Sequence, residues 1–305
     1  MSIIILSYPY LAVYDVIRIG IPVLGLGLNC RFDLHCHTTY SDGVLSPEDL
    51  VQRAFDNKVT GLAITDHDNC LAFSAAQVTA DLLGVSLIAG IEFSSQWRGR
   101  GIHIVGLNID PQSLVIKEAE QYMSLQREKR AVEISEKLSK LGINGSLEAA
   151  RKYAPSEQLG RPHFAQFLVE ARHAKNIAQA FKRYLGSGKP GDVKQVWPEV
   201  AVVVDWITQA GGVAVIAHPL KYKMTRTKLR ELCDEFKCHG GGAIEIVSGG
   251  HQSNIETRDM ADLANRFELL GSSGSDFHAP GAPWQELGVA SHIPLGCEPV
   301  WNAWR

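Results

Sequence analysis

No stretch of this chain is long, apolar and uncharged enough to read as a membrane span. Met1 to Tyr14 carries no charge, but Asp15 and Arg18 interrupt before a second apolar run from Ile19 to Leu28, whereas a span wants roughly 20 uninterrupted apolar residues. A secretory leader needs a basic start and a small-residue cleavage site, and the first positive charge here is Arg18. Residues 1–30 are therefore set apart as an N-terminal extension, either an extra leading strand or a misplaced translation start. A basic excess is lacking too. Net charge is −3 and the isoelectric point is near 6.4, so long-DNA binding has no electrostatic footprint, while a small anionic ligand or a short oligonucleotide stays compatible. The six cysteines contain no C-x-x-C pair, which leaves reduced thiols and a cytoplasmic setting as the expectation. Cys233, Cys238 and His239 have no second pair nearby, so a zinc knuckle is not expected.

What the chain does have is histidine in pairs and at the ends of apolar runs. Phe32-Asp33-Leu34-His35-Cys36-His37 is followed by Thr38-Thr39-Tyr40-Ser41-Asp42-Gly43. Alternate side chains of an extended strand share a face, so His35 and His37 point the same way and can grip one metal ion. Downstream come Thr65-Asp66-His67, Gly90-Ile91-Glu92, His103, Ala217-His218-Pro219 and Asp276-Phe277-His278, each where a strand-like run ends or turns.

Strand and helix signals alternate through most of the chain. Ser46-Pro47-Glu48-Asp49 is a helix start, with a serine cap, proline at the first position and acids in the first turn; that helix runs to about Lys58. Strands are predicted at Gly61–Thr65, Ser86–Trp97, Ile102–Ile109, Gly212–Ala217, Ala243–Val247, Leu269–Ser273 and Leu287–Ile293. Helices are predicted from beyond His67 to Leu83 and near 199–210, 226–238 and 252–266. Repeated βα units imply a parallel sheet or barrel, with functional groups at strand carboxyl ends. From about Gln112 to Leu185 the pattern is helical and highly charged, and Gly186-Ser187-Gly188-Lys189-Pro190-Gly191 reads as a returning linker. The expected organisation is a barrel in two parts, 31–111 and 190–305, around a helical insertion or lid, 112–189. No internal repeat is evident.

Six histidines, two aspartates and one glutamate thus fall at the ends of β units. Imidazole with carboxylate suits Zn²⁺, Mn²⁺ or Fe²⁺. Nine such ligands exceed one tetrahedral ion and suit two or three ions sharing a bridging carboxylate. Adjacent ions clamp a phosphoryl group and generate hydroxide near neutral pH.

The order and spacing of these motifs resemble the PHP (polymerase and histidinol phosphatase) family over about residues 31–110 and 190–305. The resemblance implies an α/β fold, a distorted seven-stranded (β/α) barrel with a small helical insertion and a trinuclear metal site. It implies that His35, His37, Glu92 and Asp276 hold a first ion. Glu92 bridges to a second, completed by His103 and His218, and Asp42, His67 and His278 hold a third. Divalent ions, three per chain, follow, with Mn²⁺ first and Zn²⁺, Fe²⁺ or Mg²⁺ as alternatives. Asp66 is expected to orient His67 from behind.

Within that family the chain resembles bacterial stand-alone phosphoesterases that remove the 3′-phosphate of nucleoside 3′,5′-bisphosphates and, in some members, act as 5′→3′ exoribonucleases on short RNA. The motif Gly160-Arg161-Pro162-His163-Phe164-Ala165 and the run Ala210–Pro219 carry this closer likeness. The expected chemistry is hydrolysis by metal-activated hydroxide, without a serine or cysteine nucleophile. Arg161, at a helix start, can take a phosphate bidentately or pair with Glu157; it is the candidate catalytic and substrate-binding cation, helped by Lys189. His163 reads as structural or helix-capping. Expected partners are a small phosphorylated nucleotide or a short RNA 5′ end, with no membrane and no obligate protein partner. Two alternatives share the metal site: a histidinol phosphate phosphatase, against which the helical insertion counts, and a non-catalytic PHP accessory module of a polymerase, against which the complete ligand set counts.

Overall fold

The computed structural model describes residues 30–154, 158–194, 197–290 and 292–304; residues 1–29 of the N-terminal extension lie outside them. Seven strands form one sheet in chain order, β1 (Phe32–Asp33), β2 (Gly61–Ile64), β3 (Ser86–Trp97), β4 (Arg100–Leu107), β5 (Val213–Ile216), β6 (Ala243–Ser248) and β7 (Leu270–Gly274). All neighbours pair in parallel except β4, which runs antiparallel to both β3 and β5. The backbone N–H of Leu34 donates to the Ser273 carbonyl at 3.0 Å, and Cys36 bridges to Phe277, so the first strand meets the last. The fold is the expected distorted seven-stranded α/β barrel, nearly closed.

Short buried strands and capped helices build it. Every residue of β2 is buried, as parallel strands covered on both faces must be. The helix α1 (Pro47–Asp56) starts where Ser46 Oγ accepts the Asp49 N–H at 3.1 Å, and it buries Leu50, Val51 and Ala54. The helix α2 (Ala72–Leu83) ends at Gly84, whose φ of 70° is the left-handed cap geometry that glycine adopts freely.

Between β4 and α7 (Val200–Gln209) every regular element is helical: α3 (Leu114–Ser139), α4 (Ser146–Lys152), α5 (Arg161–Glu170), α6 (Ile177–Ala180) and a π-helical turn at Phe181–Leu185. These helices have their own apolar cluster, including Ile134, Leu138, Phe164, Leu168 and Leu185. The helix α3 belongs to two cores. Ile116, Ala119 and Met123 pack on the barrel, and Ala131, Ile134 and Leu138 pack in the insertion. Arg127 sits at the crossover. Two more helices, α8 (Arg226–Cys238) and α9 (Asn254–Arg266), return the chain between β5, β6 and β7. Among the described residues no helix is long and apolar enough to cross a membrane.

The strand expected at Leu287–Ile293 is not formed: residues 287–290 are turn and 292–293 irregular. Gly288 has a φ of 77°, which no strand accommodates. Arg53 holds the preceding Glu286 bidentately at 2.9 and 2.6 Å, and the Gly288 N–H donates to Asp33 Oδ2 at 2.7 Å. The segment is therefore a plug that hydrogen-bonds the start of the barrel. Asp33 also accepts the Ser275 N–H at 2.9 Å. Its carboxylate, buried at the seam between β1 and β7, satisfies donors from both sides of the closure.

Asp33→Ala should strand these buried donors and cost about 3 kcal/mol of stability. Urea unfolding checks this: the midpoint should fall with little change in slope, and an unchanged midpoint would rule out the seam role.

Candidate metal centre

The barrel brings all nine expected ligands to one rim. His35 and His37 follow β1, Asp42 lies on the next turn, His67 follows β2, His218 follows β5, and Asp276 and His278 follow β7. Glu92 lies within the long strand β3. Because β4 is antiparallel, its starting end lies on this rim, and His103 sits opposite Ser94 in the β3 register.

Glu92 is the hub. Its Oε2 lies 2.9 Å from His67 Nδ1, 3.3 Å from His35 Nε2 and 3.4 Å from His37 Nε2. Its Oε1 lies 2.9 Å from His103 Nδ1 and 3.0 Å from His218 Nε2. On one side, Asp276 Oδ1 stands 3.4 Å from His35 Nε2 and 3.3 Å from His37 Nε2. On the other, Asp42 reaches His278 at 3.3 Å and His37 and His67 at 3.7 Å. The ligand atoms fall into overlapping groups, each within 4.8 Å: His37, Asp42, His67 and His278; His35, Glu92 and His218; His35, His37 and Asp276; His67, Glu92 and His103.

Four of these buried atoms make no hydrogen bond: His35 Nε2, His37 Nε2, His67 Nδ1 and Glu92 Oε2. Buried polar atoms are almost always partnered, and here the unpartnered ones converge on each other. Imidazole nitrogens and carboxylate oxygens so placed are what a divalent cation satisfies. Charge distribution agrees. Burial alone would raise Glu92, but His35, His67 and His103 hold it well below the ordinary carboxylate range. Asp42 and Asp276 are likewise held low, against the cost of burial, by the imidazoles around them. Burial, reinforced by His278, pushes His37 down to about 3, the neutral form that ligates.

Several supporting residues were not legible as site residues. Glu245, buried in β6, accepts from His35 Nδ1 at 2.5 Å, which leaves Nε2 as the free ligand atom. Its other oxygen accepts the His218 N–H at 2.6 Å and the Ser248 hydroxyl at 2.7 Å. That grip holds His218 at a φ of 29°, a sparsely populated backbone conformation. An acid inside the apolar run Ala243–Val247 was the available signal. Gly274 is needed for close approach: a Cβ there would stand 2.3 Å from the Cβ of His35. Lys221 ion-pairs with Asp276 beside the cluster. Cys36, between the two ligand histidines, donates its thiol to the Ala63 carbonyl, and burial pushes its acidity far out of reach of a nucleophile.

Asp66 does not touch His67. It accepts the Thr38 N–H at 2.8 Å, the Thr38 hydroxyl at 2.5 Å and the Ser41 hydroxyl at 2.5 Å. The aspartate thus pins the turn that carries Asp42. His163 caps α5, accepting the Gly160 N–H at 3.0 Å, and its Nε2 meets the Ser41 carbonyl at 3.1 Å, so the cap also ties the insertion to the Asp42 turn.

Arg161 is half-buried, its guanidinium over the Phe181 ring at 5.8 Å, and Glu157 lies outside the described residues. Two further arginines join it. Arg127 pairs with buried Asp68 at 2.5 Å and donates to Ser94, and Arg127 and Arg130 each lie 5.6 Å from the Trp197 ring. Arg130 Nε is buried without a partner, and burial, with Arg161 and Arg127 beside it, lowers the Arg130 guanidinium to about 10. Lys189 stands exposed on the return turn and makes no side-chain contact with the centre among the described residues.

A seven-stranded barrel whose rim gathers six imidazoles and three carboxylates is the architecture of a metallohydrolase. Residues 33–186 match the family described as PHP domain. The chain is 44% identical over 272 residues to a 5′-3′ exoribonuclease of Haemophilus influenzae, covering 89% of this chain and 98% of that one. It is 37% identical to a 3′,5′-nucleoside bisphosphate phosphatase of Chromobacterium violaceum over 89% and 95% of the two chains. A solved structure of a Chromobacterium violaceum amidohydrolase, with sulfate and no metal bound, superposes with a TM-score of 0.83 at 36% identity, covering 90% of this chain and 96% of that one. The chain belongs to the PHP family. It is a hydrolase acting on phosphoric ester bonds.

Glu245→Gln should weaken metal binding about 10- to 100-fold by freeing His35. Calorimetric titration of metal-stripped protein with Mn²⁺ checks it; unchanged affinity with an unchanged circular dichroism spectrum would remove Glu245 from this role.

Proposed function

We propose that the chain removes the 3′-phosphate of nucleoside 3′,5′-bisphosphates and takes nucleotides from the 5′ end of short RNA. The observation that carries this is the pairing of one carboxylate–imidazole cluster with three crowded arginines beside it. Among them they hold an unpartnered buried Nε, and relatives named for both activities support the reading.

Three divalent ions fit the donor set, with Mn²⁺ first and Zn²⁺, Fe²⁺ or Mg²⁺ as alternatives. His35, His37, Glu92 and Asp276 would hold one, Glu92, His103 and His218 the second, and Asp42, His67 and His278 the third. Such ions supply neutralisation of phosphoryl oxygens and a water ionised near neutral pH. The rest falls to the chain's own groups. Arg161, with Arg130 alongside, anchors the phosphate that is not cleaved, and Asp68 holds Arg127 so that its charge does not drive the other two apart. Lys189 adds long-range attraction at the lid turn. Asp66 acts by position, fixing the turn that presents Asp42. The insertion, 112–189, serves as the lid over the barrel parts 31–111 and 190–305. Six free thiols fit a reducing cytoplasm.

Metal-reconstituted protein assayed on adenosine 3′,5′-bisphosphate, 5′-monophosphorylated RNA and histidinol phosphate tests the reading. The first two should turn over, chelator should abolish both activities, and faster histidinol phosphate turnover would overturn it. Losing a charge-assisted contact costs about 1.5–3 kcal/mol. Arg161→Ala should therefore raise KM for the bisphosphate about 10- to 100-fold and leave a small aryl phosphate nearly unaffected. Equal loss on both substrates would move Arg161 into support of the metal centre.

A further inference from the structure

The metal centre lies between two features. On the β2–β3 side stand the arginines. On the β5–β7 side opens a cavity of about 380 Å³, lined by His218, Lys221, Ser248, His251, Trp284 and Gln285. His218 makes the cavity continuous with the metal cluster, and Lys221 on its wall pairs with Asp276.

Its outer wall is aromatic. The rings of His251 and Trp284 lie 4.6 Å apart at 33°, and Trp284 remains 44% exposed although it belongs to no core cluster. The wall is fixed relative to the chemistry. The Trp284 carbonyl accepts the Gly250 N–H at 2.5 Å, and the neighbouring Gln285 donates its side-chain amide to the Asp276 carbonyl at 3.3 Å. These contacts tie the loop that carries the indole to the backbone of Asp276.

Several polar groups around this wall are already used, while Ser275 Oγ and His218 Nδ1 on the lining are buried without a partner. Gln252 accepts from Ser248 N and donates to the Ile246 carbonyl and Thr257, and the Ser248 hydroxyl serves Glu245. The outer wall itself, the His251 and Trp284 rings, offers a flat π-face to a base. Stacking of this kind is tolerant of base identity.

We propose that this cavity holds the nucleobase of the nucleotide whose phosphate is cleaved, stacked on Trp284 and His251 without selection among the four bases. The inference rests on the nucleotide reading above and adds its missing third contact: arginines for one phosphate, the metal cluster for the other, an aromatic wall for the base.

The test compares wild type, Trp284→Ala, Trp284→Phe and His251→Ala on the 3′,5′-bisphosphates of adenosine, guanosine, cytidine and uridine, and on abasic 1-deoxyribose 3,5-bisphosphate. Trp284→Ala should raise KM about 5- to 100-fold on all four nucleotides, with kcat held, and the abasic KM should move little. Trp284→Phe should restore most of the loss, and His251→Ala should give a smaller loss of the same pattern. Equal KM increases on nucleotides and the abasic compound, or a nucleotide KM unmoved by Trp284→Ala, would overturn the base site while leaving the phosphatase reading intact. Wild-type protein that cleaves none of the nucleotides would overturn both.

Discussion

Everything on this rim depends on one buried carboxylate shared by five histidines from four different strands. Glu92 has no exposure to solvent, and an isolated carboxylate there would protonate rather than remain charged. It stays ionised because His35, His67 and His103 face it. The imidazoles in turn are held close together without a core of their own because the carboxylate lies between them. Neither half of this arrangement is stable without the other, and only a closed or nearly closed barrel delivers both from different parts of the chain. The antiparallel β4 has its reason here: it turns His103 back onto the rim that the parallel strands reach with their carboxyl ends.

Two buried polar contacts tie the helical insertion to the loops around that centre. Arg127 crosses from α3 to Asp68 and Ser94, and His163 crosses from α5 to the Ser41 carbonyl. The first contact joins the insertion to the loop after β2, the second to the turn that carries Asp42. The insertion is held as well by Ile116, Ala119 and Met123, which pack in the barrel core. It also sets its arginines at the edge of the metal cluster, where their mutual repulsion favours an anionic guest. In the proposed function a phosphate entering beside Arg130 and Arg161 would relieve that repulsion, so affinity would be built from charges already gathered at some cost to the fold.

Much of the site could be read from the chain because its chemistry is local in sequence. His35 and His37 alternate, Asp66-His67 and Asp276-Phe277-His278 end strands, and such spacing survives without knowing what pairs with what. The helices around the barrel were legible for the same reason, through caps such as Ser46. What could not be read was tertiary. Glu245 looks like any acid in a strand until β6 is placed beside β1. Arg127 hides in the charged stretch Gln126–Arg130, where the helical period does not show which arginine turns inward. Asp66 was given to its sequence neighbour, yet its hydrogen bonds go to Thr38 and Ser41. Leu287–Ile293 has strand-like residues, but the positive φ of Gly288 and the grip of Arg53 on Glu286 make it a plug. Trp284 and His251 are distant in sequence and meet only because Gly250 hydrogen-bonds across the loop.

The claim that one shared carboxylate organises the whole centre is tested most directly by metal content. Inductively coupled plasma mass spectrometry should be run on wild type and Glu92→Gln after loading with Mn²⁺ and gel filtration. If Glu92 is the hub, wild type retains about three ions per chain, and the isosteric amide, unable to carry the negative charge, loses most of them together while the circular dichroism spectrum is kept. A Glu92→Gln protein that holds its full complement of ions would contradict the account, because the histidines and the two aspartates would then be assembling the centre without the carboxylate placed between them.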